Sequence, residues 1–379
     1  MSNRSEGPGW SRRALLSAGG VTAGGVLLGC EAAPSAPVKA PPRDVVLQAE
    51  PLGLHFSAMD PFLFCAYHDD TFPRGNDRLG PVADLAGRQL GSDFTLKDGF
   101  RMYHGHEVPG FPQHPHRGFE TVSLARRGYV DHADSLGATA RYGQGDVQWM
   151  TAGRGIVHSE MFPLTSISEP NPLEMFQVWL NLPASDKMCE PSFHMMWSES
   201  VPRVVTLDAD GRQTEVTLVA GRLGDVRAPK PPPHSWAARA DSDVAIWTLR
   251  LAPGARFTIP PAQPGSNRML YFFKGSRLEV GARVLGPRTG ARVIATEQTP
   301  LVAGDSVAEV LMLQGRPIGE PVAQRGPFVM NTDRELRQAV LDYQATRFGG
   351  WPWSRHDPVH GAGDGRFARH VDGRLDRPT

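Results

Sequence analysis

The sequence predicts an all-β protein: two β-barrels in tandem, followed by one C-terminal helix. Three observations carry that expectation. Gly (41) and Pro (34) make up about a fifth of the 379 residues, a turn-rich composition that favours short strands over long helices. From about residue 45 to 330, brief apolar runs alternate with Gly and Pro breaks, as in sandwiches and barrels. Gly145-Asp146 and Gly304-Asp305 each introduce such a run after a similar series of earlier runs, an echo of one barrel by another.

The elements follow in order. Residues 1–30 read as an address. A polar start reaches Arg12-Arg13, an uncharged Ala/Gly/Leu/Val stretch runs from Ala14 to Gly29, and Leu27-Leu28-Gly29-Cys30 closes it. This basic–apolar–small order is that of an export signal. The arginine pair resembles a twin-arginine signal, and the last four residues resemble a lipobox in which Cys30 is lipidated. The apolar stretch is shorter and more Gly-rich than a spanning helix requires. Residues 31–44, rich in Pro and Ala, read as a tether. The chain is therefore expected to be exported to the periplasmic side and held at the membrane only through its signal or a lipid.

Strand-like runs fill the body, among them Thr121–Leu124, Asp146–Met150, Phe176–Leu180, Glu215–Val219, Val244–Leu249, Met269–Phe273 and Val307–Gln314. The expected division is a first barrel over 45–186, a second over 187–330, a helix over 331–348 and a flexible tail over 349–379. The helix has the best local signal. Thr332-Asp-Arg-Glu335 is a capping box, and Leu336, Ala339, Val340 and Tyr343 then fall on one face. The tail is polar and lacks an apolar period, so His356, His360 and His370 are expected in solvent.

Charge argues against one class of function. Lys plus Arg and Asp plus Glu are 40 each, so nucleic-acid binding through a broadly basic surface is not expected, which leaves only a local patch. The chain's three cysteines rule out a disulfide scaffold, although Cys65 and Cys189 could pair in an oxidising compartment.

Chemistry concentrates in the histidines. His114-Pro-His116 and His158-Ser-Glu160 are i, i+2 pairs, and on a strand such residues point to one face. If the two strands face each other across a barrel, three imidazoles and one carboxylate converge. That set suits a divalent ion, with Fe, Cu, Ni or Zn favoured by imidazole and Fe or Mn compatible with the carboxylate. Glu120 shares parity with His114 and His116 and is expected to stand behind the ligands. His104 and His106 are expected on a loop at the site's mouth. Trp149 and Met150 read as barrel core, and Arg154, between two glycines, as a turn residue.

His114–Val122, Asp146–Met161, Trp179–Pro191 and Gly319–Thr332 together resemble the signature of the pirin family. The resemblance covers roughly residues 50–345. It implies a bicupin: two cupin barrels with a metal, usually iron, in the N-terminal one. The implied ligands are His114, His116, His158 and Glu160, the same four reached by parity. The second barrel lacks a His-x-His in its matching region, so it is expected to be metal-free. Some members resemble quercetin 2,3-dioxygenase. That implies a small aromatic substrate, a flavonol or other phenol, chelated to the metal with Glu160 accepting its hydroxyl proton. The alternative on the same fold is a non-enzymatic iron- or redox-sensing or interaction protein. Residues 74–108 and the tail depart from the family pattern, and the former are expected to line or cap the pocket.

Overall fold

The structure, a computed structural model, describes residues 43–379. The signal-like segment and Cys30 lie outside the described residues. In chain order the strands that place the site are β1 (Val46–Pro51), β2 (His55–Ser57), β3 (Phe62–Phe72), β4 (Gly110–His116), β5 (Phe119–Arg127), β6 (Tyr129–Asp134) and β7 (Thr139–Gly143). They continue with β8 (Asp146–Thr151), β9 (Ile156–Met161), β10 (Asn171–Asn181), β11 (Ser192–Met196), β12 (Arg203–Leu207) and β13 (Gln213–Ala220). One α-helix, α1, spans Asp333–Thr346.

The first barrel is made of two sheets. One has the order β11-β8-β5-β10-β3-β2, and the other carries β7-β6-β9-β4. Alternation decides what each strand buries. In β5, Val122 and Leu124 face the second barrel, while Ser123 faces inward and reaches Glu160. In β10, Phe176, Val178 and Leu180 face the second barrel and Gln177 faces inward. The partner surface belongs to a seven-stranded sheet of the second barrel, which offers Ile246, Met269, Tyr271, Leu311 and Leu313. Tyr67 and Phe176 stack at 4.6 Å within this shared core. Trp149 is fully buried there, and Met150 lies in a neighbouring core cluster.

Two segments cross the expected boundary. β1 does not belong to the first barrel; it pairs antiparallel with Thr289–Val293 at the edge of the second. Val45 and Val46 supply the reason, since both bury their side chains in the second barrel's core. Conversely, β11 lies beyond residue 187 yet pairs with β8 of the first barrel. Its Phe193 packs in the first barrel's core.

The helix forms where its local signals place it. Thr332 accepts the Glu335 backbone N–H at 3.3 Å, and the Glu335 carboxylate accepts the Thr332 N–H at 2.9 Å. Leu336 and Ala339 are buried, and with Val340 and Tyr343 they pack against Val157, Phe328, Met330 and Phe348. An ion pair of 2.6 Å from Arg117 to Asp342 ties the helix to the turn after β4.

The tail differs most from its expectation. It packs on the first barrel, and Phe367–Arg369 adds a strand to β7. Arg141 explains the capture: it is fully buried, pairs with Asp131 and donates to the carbonyls of His360, Gly361 and Asp364. A polar segment without apolar period is ordered here through backbone hydrogen bonds, which leave no mark on side-chain pattern.

Candidate metal centre

The two histidine pairs lie on β4 and β9. These strands are antiparallel neighbours rather than opposite walls, with His114 in register with His158. The three imidazoles therefore meet side by side, and one ligand atom from each lies within 4.8 Å of the others. Ring centroids are 4.8 Å apart for His114 and His116, 4.4 Å for His114 and His158, and 4.9 Å for His116 and His158.

The local hydrogen bonds orient the rings. His114 Nδ1 lies 2.8 Å from the Pro112 carbonyl, and His116 Nδ1 lies 3.4 Å from that of Pro327. Each bond leaves Nε2 free for an ion, as second hydrogen bonds of metal-binding histidines do. His116 Nε2 and both nitrogens of His158 are buried without a hydrogen-bond partner. Orphaned buried polar atoms are costly and rare. A divalent cation would satisfy His116 Nε2 and one of the two His158 nitrogens. Burial depresses all three imidazoles, His114 to about 4 and the other two well below their ordinary value, so the rings are neutral at physiological pH, the form that can hold a metal ion.

Glu160 is buried at the edge of this cluster, with Oε2 3.9 Å from His158 Nε2. Gln177 donates to Oε2 at 2.7 Å and Ser123 to Oε1 at 3.3 Å. Burial raises its pKa, and the Gln177 hydrogen bond is the largest influence opposing the rise.

Glu120 does not stand behind the ligands. Gly118, at φ +85°, turns the chain between β4 and β5, and a Cβ there would sit 1.9 Å from the Val329 carbonyl oxygen. The turn starts a strand in the other sheet and resets its parity. Glu120 thus accepts hydrogen bonds from Thr151 at 2.7 Å and from Ser235 of the second barrel at 2.5 Å.

His132 is a further member of the cluster. It is fully buried, its Nε2 is 3.1 Å from Asp134, and its ring is 5.6 Å from that of His158. Its position opposite Glu160 in the β6–β9 register places it there. The available signal was another i, i+2 pair, His132-Ala-Asp134, whose importance only the strand pairing reveals.

Aromatic walls surround the cluster. Trp179 lies 5.3 Å from His116 and Phe111 lies 6.2 Å from His114. Within residues 74–108, Tyr103 packs 5.2 Å from Phe111 and donates its hydroxyl to Asp70 at 2.5 Å, with His68 Nδ1 at 2.9 Å. His104 is exposed beside the same wall, 5.7 Å from Phe111. His106 packs under Gly91 of the same segment. Of the tail histidines, His356 is exposed, whereas His360 and His370 are half-buried. Arg154 sits in the turn before β9 and pairs with Glu190. Cys65 and Cys189 are both free thiols.

Comparison with known proteins adds to this geometry. Residues 76–180 match the Pirin family, and residues 246–349 match the Pirin C-terminal cupin domain. Human pirin is 34% identical over 267 residues, which span 68% of this chain and 82% of that protein. The chain belongs to the pirin family. A pirin-like protein of Solanum lycopersicum is 36% identical over 266 residues, covering 68% of this pirin and 81% of the relative. Among solved structures, a quercetin 2,3-dioxygenase from Acinetobacter baumannii superposes with a TM-score of 0.63 at 26% identity. That match covers 81% of this chain and 98% of the other. The two-barrel architecture is thus the pirin bicupin, and the histidine cluster lies in its N-terminal cupin.

Proposed function

We propose that this pirin is a metal-dependent dioxygenase of small phenolic compounds, with flavonols as the first class to test. The observation that carries the reading is the convergence of three neutral, buried imidazoles beside a buried carboxylate, inside aromatic walls. Likeness to a solved protein called quercetin 2,3-dioxygenase supports it. Fe(II) is the proposed ion, held by His114, His116 and His158 with Glu160 as fourth ligand. When bound, the ion supplies Lewis acidity that lowers the pKa of a coordinated phenol.

The chain's own residues supply the rest. Phe111 and Trp179 give the cluster apolar neighbours that exclude water from it. Glu160, made more basic by burial, accepts the substrate's hydroxyl proton. Gln177 and Ser123 hold the carboxylate in place while it does so. The exported, Cys30-lipidated form expected from the N-terminal segment belongs to the same proposal. Mass measurement of the mature N-terminus in its native cell would test it; an intact residue 1 would refute it.

Dioxygen consumption by the Fe(II)-loaded chain, with a panel of flavonols and catechols, tests the activity. Uptake stoichiometric with loss of flavonol absorbance is the expected result. Uptake at the buffer rate with every compound, from protein that does hold metal, would leave the iron- or redox-sensing role instead.

A further inference from the structure

We infer that residues 351–369 are a strap that positions the histidine cluster by closing both edges of the sheet that carries it. The inference rests on the metal reading above and goes beyond it. The segment follows the stretches that match the family, which end at residue 349.

The ligand-bearing part of this sheet, β7-β6-β9-β4, would end in β4 on one side and β7 on the other. The ends of β4 are tied by backbone bonds, at Gly110 to Met102 and His104 and at Arg117 to Pro327 and Val329, whereas the middle that carries the histidines is irregular. Its register with β9 shifts between Phe111 and His114, and Pro115 has no N–H to donate. The strap reaches this edge directly: the Gln113 backbone N–H, next to His114, donates to the His356 carbonyl at 2.7 Å. The Gln113 side chain also contacts His356 Nδ1.

The strap also reaches β6, two strands in from β4. Trp353 Nε1 donates at 2.8 Å to the carbonyl of Asp134, the register partner of His158. The His360 N–H donates at 2.8 Å to Asp131, whose carboxylate also holds Arg141. Phe367–Arg369 finally pairs with β7. One segment thereby fixes the outer edge beside His114, the turn beside His158 and the opposite edge. Strand edges left open fray and recruit other chains; a strand closed on both sides does neither.

Coupling of this kind is reciprocal: if the strap raises metal affinity, bound metal must stabilise the strap equally. Hydrogen exchange of the full chain, with and without Ni(II) as the probe, reads this directly. Amides of residues 353–369 are expected to exchange several-fold more slowly with metal. Protection of β4 and β9 without any change in 353–369 would overturn the strap. Absence of Ni(II) binding altogether would instead overturn the metal reading, and the strap with it. As a second measurement, Trp353→Phe keeps an aromatic side chain but loses the indole N–H. It is expected to weaken Co(II) affinity about threefold to tenfold and to shift the visible d–d band. An unchanged affinity and band, in a variant with unchanged circular dichroism, would contradict the inference.

Discussion

His158 and Glu160 lie two residues apart on β9, and the structure separates their roles. His158 has no hydrogen-bond partner, whereas Glu160 has two. His158→Ala should therefore lower Ni(II) or Fe(II) affinity by about a hundredfold or more, since one of three converging imidazoles is gone. Isothermal titration reads the loss. Glu160→Gln should keep metal affinity within about tenfold and lose most oxygen uptake, because the amide cannot accept a proton. Glu120 provides a separate test at this scale. Burial raises its carboxyl from 4.5 to about 7 against the pull of Ser235 and Thr151. A pKa raised on folding means that the folded state binds the proton more tightly. The stability linked to it is complete below pH 4.5 and is lost as the pH rises through 7. Glu120→Gln should flatten thermal stability between these values and make the variant the more stable protein at pH 8, by up to roughly 3 kcal/mol. A melting-temperature series against pH checks the sign.

At the scale of elements, α1 and β4–β5 show opposite degrees of legibility. The capping box of α1 is a contact between residues three apart, so Thr332 and Glu335 announce it in the sequence. Thr332→Ala should cost about 1 kcal/mol, measurable by urea denaturation, with no change in metal binding. The pairs on β4 and β9 were legible for the same reason, since i, i+2 spacing survives any strand twist. Glu120 departs from the expected parity because at Arg117-Gly118 a positive-φ glycine ends one strand and the next joins another sheet. Alternation holds within a strand and has no meaning across a turn of unknown geometry.

At the scale of the molecule, the two barrels share an apolar core between their facing sheets, keep a core each of their own, and exchange a strand. β1 gives the second barrel an edge drawn from the chain's other end, and Arg283 and Asp44 add a salt bridge of 2.9 Å beside it. Deleting residues 43–51 should expose the Thr289–Val293 edge and speed proteolysis of the second barrel more than of the first. Cleavage mapping by mass spectrometry distinguishes the two. This arrangement is hidden from the sequence because β1 is a short, weakly patterned run that any edge could take. Which edge it takes depends on pairing some 240 residues away.

The amino-acid order alone determined the all-β class, the capped helix and the three histidines with their neighbouring carboxylate. Each of these is written in contacts or periodicities a few residues long. Tertiary structure decided that β4 and β9 are neighbours, that His132 faces Glu160, that Glu120 turns away and that a polar tail binds the ligand-bearing sheet. Those outcomes depend on strand pairing and on backbone hydrogen bonds, and these join residues far apart through groups that every residue carries alike.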